Sequence, residues 1–414
     1  MKVKKSVQIA TEDLGFNKLR KFQIEPINNI LDHRDTLVVA PTSSGKSAIY
    51  QIPTRINNKN GKWALVVEPT LALIADQVNR LQSKGIAAEM MTSRNLYEHY
   101  DILKKLRKDE IDILYVTPER LQASEFQFAM EDNPPWLLVV DEAHCVLDWG
   151  YTFRSAYPKI KDFIKTLKQR PVIAAFTATA PPEHQSAICK LLGMKQAEIY
   201  TLSLARDNII LLKEDCSGLS IKKRLSRVKY NIKKYGKNGR VIVYCATRKN
   251  VDIVYNYLSK QFPGEVVKCH ADMDSDKREK HELQFINGSK RIMVATTAFG
   301  MGIDASDIRL VLHFNLPLST IDYYQQIGRA GRDGKKSHAM LLYHPDDIEV
   351  NQYILNKADL PEEVQTWLFD RLDEMVSLAE SDQCLMQQLL ESLGEDHPTT
   401  CRHCTNCQKA RRSE

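Results

Sequence analysis

The sequence predicts an α/β protein with two tandem domains, each a parallel sheet with helices on both faces, followed by a small helical module. Continuous apolar runs alternate with polar stretches of helical character, which is the pattern of buried parallel strands joined by crossover helices. The pattern restarts after residue 205, and strand character is lost after residue 347. We therefore expect domains at 1–205, 206–347 and 348–414.

The composition is that of a water-soluble chain. Its 414 residues suit two or three domains at roughly 100–200 residues each. Hydrophobic residues make up 43% and charged residues 27%, and no apolar run approaches the ~20 residues needed to cross a bilayer. We expect no membrane association and no secretory signal. The net charge of +6 permits a polyanionic partner without establishing one.

The first domain is predicted from apolar runs that are each followed by a turn or a helical stretch. These runs are TLVVA (36–40), WALVVEP (63–69), ILYVTP (113–118), WLLVVDE (136–142) and VIAAFTATA (172–180). Their β-branched residues and unbroken apolarity indicate strands that are buried on both faces.

The second domain repeats the architecture but not the sequence. Its strand-like runs are VIVYCAT (241–247), VVKCHA (266–271), RIMVATTAFGMGID (291–304), RLVLHFNLP (309–317) and HAMLLYH (338–344). From residue 350 onward, apolar residues recur only at helical spacing, which predicts the helical module.

The stretch APTSSGKS (40–47) follows the first apolar run and opens a helical pattern. It fits the phosphate-binding loop, in which Lys46 reaches the β and γ phosphates and the Ser47 hydroxyl binds Mg²⁺. A chance match in a Ser/Gly turn is the alternative, and the strand–loop–helix context argues against it. The residues expected to bind a nucleotide are Thr42, Ser43, Ser44, Gly45, Lys46 and Ser47.

An acidic pair ends the apolar run of LLVVDEAH (137–144). Asp141 can hold the Mg²⁺ of a nucleotide, and Glu142 can polarise an attacking water. A solvent-facing acidic strand end is the common alternative, but a phosphate-binding loop in the same domain argues against it.

The segment YYQQIGRAGRDG (323–334) contains two arginines, Arg329 and Arg332. Spaced three apart, they face the same way if they lie on one helical turn. An arginine supplied from another domain can stabilise the charge that develops on a transferred phosphoryl group. Taken alone, the segment is better explained as a basic solvated turn, but its combination with the phosphate-binding loop and the acidic strand end argues against that interpretation.

Four of the nine cysteines lie near the end of the chain. The spacing C-x₁₆-C-x₂-C-x₂-C suits tetrahedral Zn²⁺, so we favour a structural site made by Cys384, Cys401, Cys404 and Cys407. His397 and His403 are alternative fourth ligands. A free-thiol tail and an iron–sulfur cluster are the other interpretations.

Aromatic residues follow the acidic pair within DEAHCVLDWGYTFRSAY (141–157). Core packing is the usual fate of aromatics, but this segment has no sustained periodicity and contains an arginine. Rings and guanidinium groups are what single-stranded nucleic acid stacks against, so the residues alone leave core packing and nucleic-acid sensing equally open.

Residues 221–240 contain nine Lys/Arg and no acid. The helical spacing of their apolar residues predicts an amphipathic helix with a basic face. Both a solvated surface and a non-specific phosphate track fit this pattern.

Together these segments resemble superfamily 2 helicases and, in particular, the RecQ family of DNA helicases, from Leu14 to Cys407. Further segments that resemble helicase motifs are FNKLRKFQ (16–23), VVEPTLALIADQV (66–78), YVTPERL (115–121), FTATA (176–180) and VATTAFGMGID (294–304). An aromatic-rich loop after the acidic pair is a RecQ feature that other superfamily 2 groups lack. Ser43 and Ser44 replace the family's usual glycines, and Asp148 and Tyr151 replace its usual glutamine and histidine.

The resemblance implies two RecA-like domains that bind Mg²⁺ with ATP, and one structural Zn²⁺. It places Arg20 and Gln23 on the adenine, Asp304 on the ribose and Gln325 beside the attacking water. The residues that it assigns to DNA contact or to coupling are Thr70, Thr117, Arg120, His144, Trp149, Phe153, Arg154, Thr177, Thr179, Thr247, Arg248 and Thr296.

The implied activity is 3′→5′ translocation on single-stranded DNA and duplex unwinding, in recombination, repair or replication. The implied partners are ATP, single-stranded DNA, tailed or forked duplexes, and a single-strand DNA-binding protein. The protein would be cytoplasmic and nucleoid-associated in a bacterium, or nuclear in a eukaryote.

The chain ends soon after the zinc module, without room for the winged helix of larger members. An ATP-driven translocase or annealing factor with weak unwinding is therefore the alternative. An ATP-gated clamp without turnover and an RNA helicase are further alternatives.

Overall fold

The computed structural model describes residues 4–41, 44–58, 61–147, 156–297, 299, 305–358, 360–397 and 400–413. The chain forms two compact units, Met1–Ser203 and Leu204–Glu414.

The first unit contains one parallel sheet of seven strands. The strands are β1 (Thr36–Val39), β2 (Ala64–Val67), β3 (Ala88–Met91), β4 (Ile113–Val116), β5 (Leu137–Val140), β6 (Val172–Thr177) and β7 (Glu198–Thr201). Their spatial order is β3-β4-β2-β5-β6-β1-β7, so β5 is the central strand and β1 lies two positions away, between β6 and the edge strand β7. Because all strands are parallel, their carboxyl ends meet at one edge, where functional loops collect in such sheets.

Helices cover both faces of this sheet. They are α1 (Lys5–Asp13), α2 (Lys21–Leu31), α3 (Lys46–Asn57), α4 (Leu71–Gln82), α5 (His99–Leu106), α6 (Ser124–Asp132), α7 (Ile160–Thr166) and α8 (Pro182–Leu192). Neighbouring residues of one strand enter different cores, since Leu37 and Val39 pack on one face and Val38 on the other. A period of two is thus present inside runs that read as continuously apolar.

The second unit has a parallel sheet of six strands. The strands are β8 (Ile209–Asp215), β9 (Arg240–Tyr244), β10 (Val266–Cys269), β11 (Ile292–Ala295), β12 (Ile308–His313) and β13 (Ser337–Tyr343). Their order is β10-β11-β9-β12-β13-β8. The helices are α9 (Ile221–Tyr235), α10 (Arg248–Gln261), α11 (Ser275–Ile286), α12 (Thr320–Ile327), α13 (Asp346–Lys357), α14 (Glu362–Glu380), α15 (Leu385–Ser392) and α16 (Thr405–Ser413).

The C-terminal helices share a hydrophobic core with this second sheet. Leu372 and Met375 of α14 and Leu389 of α15 are fully buried, in one cluster with Tyr323 and Tyr324 of α12. The cysteine-bearing module is therefore packed against the helix that leads into the arginine segment.

The predicted fold class is confirmed, with two parallel sheets and a helical C-terminal region. Three edge strands were not among the predicted runs: β3, β7 and β8. The first two are short and carry exposed or half-buried side chains, so they lack the apolar signal of central strands. No helix among the described residues is long and apolar enough to cross a membrane.

Candidate active site

The phosphate-binding loop joins β1 to α3 at the carboxyl edge of the first sheet. Gly45 has φ +87°, and a Cβ there would lie 2.7 Å from Gln23 Nε2, so only glycine fits. Lys46 Nζ donates to the carbonyl of Ala40 across 3.0 Å. The Ser44 hydroxyl is buried and finds no hydrogen-bond partner within the described part of the chain. This cradle fits phosphate oxygens.

Two residues predicted to read the base are bonded to the same loop. Gln23 Nε2 donates to the carbonyl of Gly45 at 2.8 Å, and Arg20 Nη1 donates to that of Ser44 at 2.8 Å. The backbone N–H of Arg20 donates to Gln23 Oε1 at 2.7 Å, which locks the pair together. Their role in binding adenine stays a prediction, as do those of Thr42 and Ser43, which lie outside the described residues.

The acidic pair follows β5 directly. Burial and then the neighbouring Glu142 raise the pKa of Asp141 to about 6, while the charge of Lys46 acts in the opposite direction. Glu142 has φ +48°, a left-handed conformation that is uncommon for a side-chain-bearing residue and is often found at functional sites. Oxygen ligands from Asp141 and from Ser47, at the start of α3, suit Mg²⁺, whose charge would relieve the crowding of carboxylates.

A third carboxyl, Glu68, lies beside this pair and was not predicted. It follows β2, is 3% exposed, and accepts a hydrogen bond from the Thr70 N–H at 3.0 Å. Burial, with Asp141 and Glu142 nearby, raises the pKa of Glu68 well above its usual range. A hydrogen bond joins the side chains of Glu68 and Asp141. Its signal in the sequence was an acid at the end of an apolar run.

His144 connects the acidic turn to the end of β6. Its Nδ1 lies 3.0 Å from Thr177 Oγ1 and 3.4 Å from Glu142 Oε2. The Thr177 hydroxyl donates to the carbonyl of Thr179 at 3.0 Å, so it accepts from His144. Both threonines are buried, which suits a coupling role and excludes direct contact with a strand in this conformation.

Tyr157 closes the aromatic segment onto the acidic turn. Its side chain is fully buried, and its hydroxyl donates to the carbonyl of Asp141 at 2.8 Å. Residues 148–155, including Trp149, Phe153 and Arg154, lie outside the described residues, so their predicted contact with nucleic acid stays a prediction.

Three residues of this unit that were predicted to contact DNA lie in the segments that follow β2 and β4. Thr70 and Thr117 are half-buried at the carboxyl edge of the sheet. Arg120 forms an ion pair with Glu125, and its guanidinium carbon lies 5.9 Å from the centre of the Phe126 ring. The Arg120 side chain is only 13% exposed, so a phosphate contact requires it to exchange these partners.

In the second unit, Arg329 and Arg332 lie beyond the end of a helix and not on one helical turn. Helix α12 ends at Ile327, and Arg329 and Arg332 occupy the turns that follow. They nevertheless share one neighbour, Tyr244. Burial raises the pKa of the Tyr244 phenol, while a hydrogen bond from Arg329 and the charge of Arg332 oppose the increase.

Arg206 and Asn208 hold this arginine turn and were not predicted. Arg206 Nη2 donates to the carbonyls of Ala330 and Gly331, both at 3.2 Å, and Asn208 Nδ2 donates to Gly331 at 2.9 Å. Gly331 has φ +56°, and a Cβ there would lie 2.5 Å from Asn208 Nδ2. Only glycine therefore fits at position 331.

Two of the remaining predicted residues of this unit have hydrogen-bond or ion-pair partners close in the structure, two are half-buried, and one lies outside the described residues. Thr247 Oγ1 caps α10 by accepting from the Asn250 N–H at 3.1 Å, and Arg248 pairs with Asp272 at the surface. Thr296 follows β11 and is half-buried, as is Gln325 on α12. Asp304 lies outside the described residues.

Four sulfur atoms converge in the C-terminal module. Those of Cys384, Cys401, Cys404 and Cys407 lie within 4.8 Å of one another. Backbone N–H groups donate to them in series, from Cys401 to Cys384 at 3.2 Å, from Cys404 to Cys401 at 3.3 Å and from Cys407 to Cys404 at 3.5 Å. Hydrogen bonding from the Cys401 thiol lowers the pKa of Cys404 to about 4. A Cys₄ set with N–H donors to sulfur suits structural Zn²⁺.

The alternative ligands are not part of this group. His397 and His403 are both described, and neither belongs to the cluster that could hold a metal.

Comparison with known proteins gives three family matches along the chain. They are the DEAD/DEAH box helicase model at residues 20–187, the helicase conserved C-terminal domain at 223–334 and the RecQ zinc-binding model at 345–408. The last match contains all four cysteines of the cluster.

Relatives match across nearly the whole chain. The ATP-dependent DNA helicase RecQ of Bacillus subtilis is 35% identical over 402 residues, which are 96% of this chain and 66% of the relative. The probable ATP-dependent DNA helicase RecS of the same organism is 34% identical over 352 residues, 84% of this chain and 69% of the relative. The chain spans 60–66% of the length of three bacterial RecQ helicases.

Solved structures match the fold. The DEAD-box helicase Mss116 bound to ssRNA and UDP-BeF has a TM-score of 0.70 at 18% identity, with 95% of this chain and 90% of that chain covered.

Proposed function

The chain belongs to the RecQ family of DNA helicases, and on this premise we propose that it uses ATP hydrolysis to move 3′→5′ along single-stranded DNA and to unwind duplexes. One observation carries the proposal. The carboxylate suited to Mg²⁺, Asp141, is hydrogen-bonded through its own carbonyl to Tyr157, the residue at which the aromatic segment ends. A strand that moves the aromatic segment would therefore act on the nucleotide site directly.

The proposed ATP chemistry divides between the two units. In the first, the phosphate-binding loop holds the triphosphate, Ser47 and Asp141 hold Mg²⁺, and Glu142 polarises the attacking water. Bound Mg²⁺ would neutralise charge on the phosphates. In the second, Gln325 orders the water, and Arg329 and Arg332 stabilise the charge of the transition state. Arg20 and Gln23 bind the adenine, and Asp304 binds the ribose.

The proposed DNA path uses phosphate contacts that position a strand without reading its sequence. Thr70, Thr117 and Arg120 supply them from the first unit. Thr247, Arg248 and Thr296 supply them from the second. Trp149, Phe153 and Arg154 sense the strand, and His144, Thr177 and Thr179 carry the signal.

We also propose the domain division 1–205, 206–347 and 348–414, with the zinc module supporting the second RecA-like domain. Unwinding releases single strands, so a protein that coats single strands is the expected partner. The expected place of action is the nucleoid or the nucleus.

ATPase and unwinding should be measured together on 3′-tailed, 5′-tailed, blunt and RNA substrates. We expect DNA-stimulated hydrolysis and unwinding of 3′-tailed duplexes, with hydrolysis lost in Lys46→Ala. ATPase without strand separation would replace the helicase by the translocase or annealing factor. Activity on 5′ tails alone would reverse the polarity, and a response to RNA alone would change the substrate.

A further inference from the structure

Three large apolar side chains are exposed within five residues, at the carboxyl end of β3. Leu96 is 59% exposed, Tyr97 85% and Tyr100 74%. Tyrosine rings are usually at least partly covered, so two with such exposure on adjacent turns form an unusual surface. None of these side chains takes part in the nucleotide site.

The backbone that presents this surface is held by a buried polar network. Asn95 Oδ1 accepts from the Thr92 N–H at 2.9 Å, and Asn95 Nδ2 donates to the carbonyl of Met90 at 2.8 Å. His99 Nε2 lies 3.0 Å from the carbonyl of Thr92. Thr92, Asn95 and His99 are all at least 93% buried. In this turn the polar side chains are therefore buried and hydrogen-bonded, while the aromatic side chains are exposed to solvent.

The network also places the surface beside a predicted strand contact. Strand β3 is the sheet's edge and pairs with β4, whose carboxyl end leads to Thr117 and Arg120. The charge of Arg120 lowers the pKa of His99, after burial, so the two side chains are neighbours. Adjacent strands lie ~4.8 Å apart, so the segment that follows β3 and carries the tyrosines begins one strand position beyond Thr117.

The two tyrosines are close in sequence and both are exposed. Tyr97 lies in a short 3-10 helix, Leu96–Glu98, and Tyr100 lies in the first turn of α5, three residues further on. The acidic neighbour Glu98 accepts a hydrogen bond from Asn95 Nδ2 at 3.0 Å, and the exposed Arg94 lies three residues before Tyr97. A nucleic-acid strand is favoured over a protein partner because the surface continues an edge that carries hydroxyl and guanidinium groups.

We propose that Tyr97 and Tyr100, with Leu96 beside them, form a stacking platform for bases of single-stranded DNA, at one end of the path across the first unit. The platform rests on the proposed function. It extends the site beyond the helicase motifs and binds without sequence preference, because every base has a face on which a ring can stack.

The test is a binding isotherm for a fluorescent oligothymidylate, measured for the double variants Tyr97→Ala/Tyr100→Ala and Tyr97→Phe/Tyr100→Phe. Alanine should weaken affinity by about 10-fold or more, the effect of losing stacked bases. Phenylalanine should bind like the parent, since stacking needs the ring and not the hydroxyl. The salt dependence of binding should be equal in all three proteins, because no phosphate contact is removed.

Tyr353→Ala is the matched control. Tyr353 is 59% exposed on α13 of the second unit, so the same truncation is made away from the proposed platform. Equal affinity of the alanine variant and the parent would overturn the platform, as would equal losses in the alanine and phenylalanine variants. If the parent itself binds no single strand, the proposed function fails together with this inference. If the parent binds and hydrolyses ATP while only the platform test fails, the proposed function stands alone.

Discussion

The phenolic hydroxyl of Tyr157 donates a hydrogen bond to the main-chain carbonyl of Asp141, across 2.8 Å. The two residues are 16 positions apart, and the aromatic segment lies between them. Both ends of that segment are therefore fixed at the acidic turn. A displacement of the segment has a short covalent and hydrogen-bonded route to the carboxylate that suits Mg²⁺.

Replacing Tyr157 by phenylalanine should reduce the stimulation of ATPase by single-stranded DNA about 3- to 10-fold. The substitution keeps the buried ring and removes one hydrogen bond worth roughly 1 kcal/mol. The measurement is the ratio of ATP turnover with and without DNA. Tyr343→Phe, which removes another nearly buried phenol hydroxyl in the second unit, serves as the control. An unchanged ratio in Tyr157→Phe would mean that the link does not transmit the signal.

Replacing Arg206 by methionine should lower the turnover number of DNA-stimulated ATPase about 10- to 100-fold. Methionine keeps an apolar stem but gives up the hydrogen bonds to Ala330 and Gly331, so Arg329 and Arg332 lose their fixed placement. An arginine at the transferred phosphoryl group increases the turnover number ~10³–10⁵-fold, and a misplaced arginine would lose part of this increase. Arg227→Met, which removes a surface pair with Glu214, should have little effect. Equal losses in both variants would point to a general loss of charge.

Replacing Cys384 by serine should remove the bound zinc and lower the melting temperature of the second unit by roughly 10 °C or more. The same change should reduce ATPase, because α14 and α15 share a core with α12. Zinc content and calorimetric unfolding are the measurements. Cys189→Ser, at a half-buried thiol of the first unit, is the control. Full ATPase activity in the zinc-free protein would show that the arginine turn does not depend on the zinc module.

Acid should destabilise the second unit partly through His313. Burial lowers the pKa of His313 to about 4 from 6.5, and its Nε2 is bonded to Gln326 Oε1 at 2.7 Å. At pH values between these two pKa values, His313 binds a proton in the unfolded chain but not in the folded chain. The free energy of unfolding is therefore not reduced by His313 above pH 6.5, and it falls as the pH drops toward 4. One such group accounts for about 2 kcal/mol between pH 7 and pH 5.

The pH effect can be isolated by comparing the parent with His313→Gln in urea titrations at pH 7 and pH 5. Glutamine keeps an N–H donor for Gln326 and cannot titrate. Its loss of stability between the two pH values should be smaller by about 2 kcal/mol. Identical losses would assign the acid sensitivity to other groups.

Local patterns were enough to predict the central strands and the phosphate-binding loop. Buried parallel strands read as unbroken apolar runs, and Gly45-Lys46-Ser47 needs only its flanking strand and helix to be recognised. Edge strands such as β7 have exposed side chains, which removes that signal.

Contacts between distant positions could not be read in this way. Arg206 and Gly331 are 125 positions apart, and Glu68 approaches Asp141 only because β2 and β5 are neighbours in the sheet. The turns that carry Arg329 and Arg332 are likewise held by hydrogen bonds from Arg206 and Asn208, which lie more than 120 positions earlier in the chain. These contacts depend on the order of the strands in the sheet, which cannot be predicted from local patterns in a single sequence.

The hydrogen bonds from Arg20 and Gln23 to the carbonyls of Ser44 and Gly45 have a consequence for nucleotide discrimination. The groups assigned to the purine edge are also the groups that brace the loop around the triphosphate. A guanine or pyrimidine base that pulls them out of place would disturb the phosphates as well. Selectivity for ATP would then be expressed in the rate of hydrolysis as well as in affinity, so a competing nucleotide that binds at this loop would still be hydrolysed slowly.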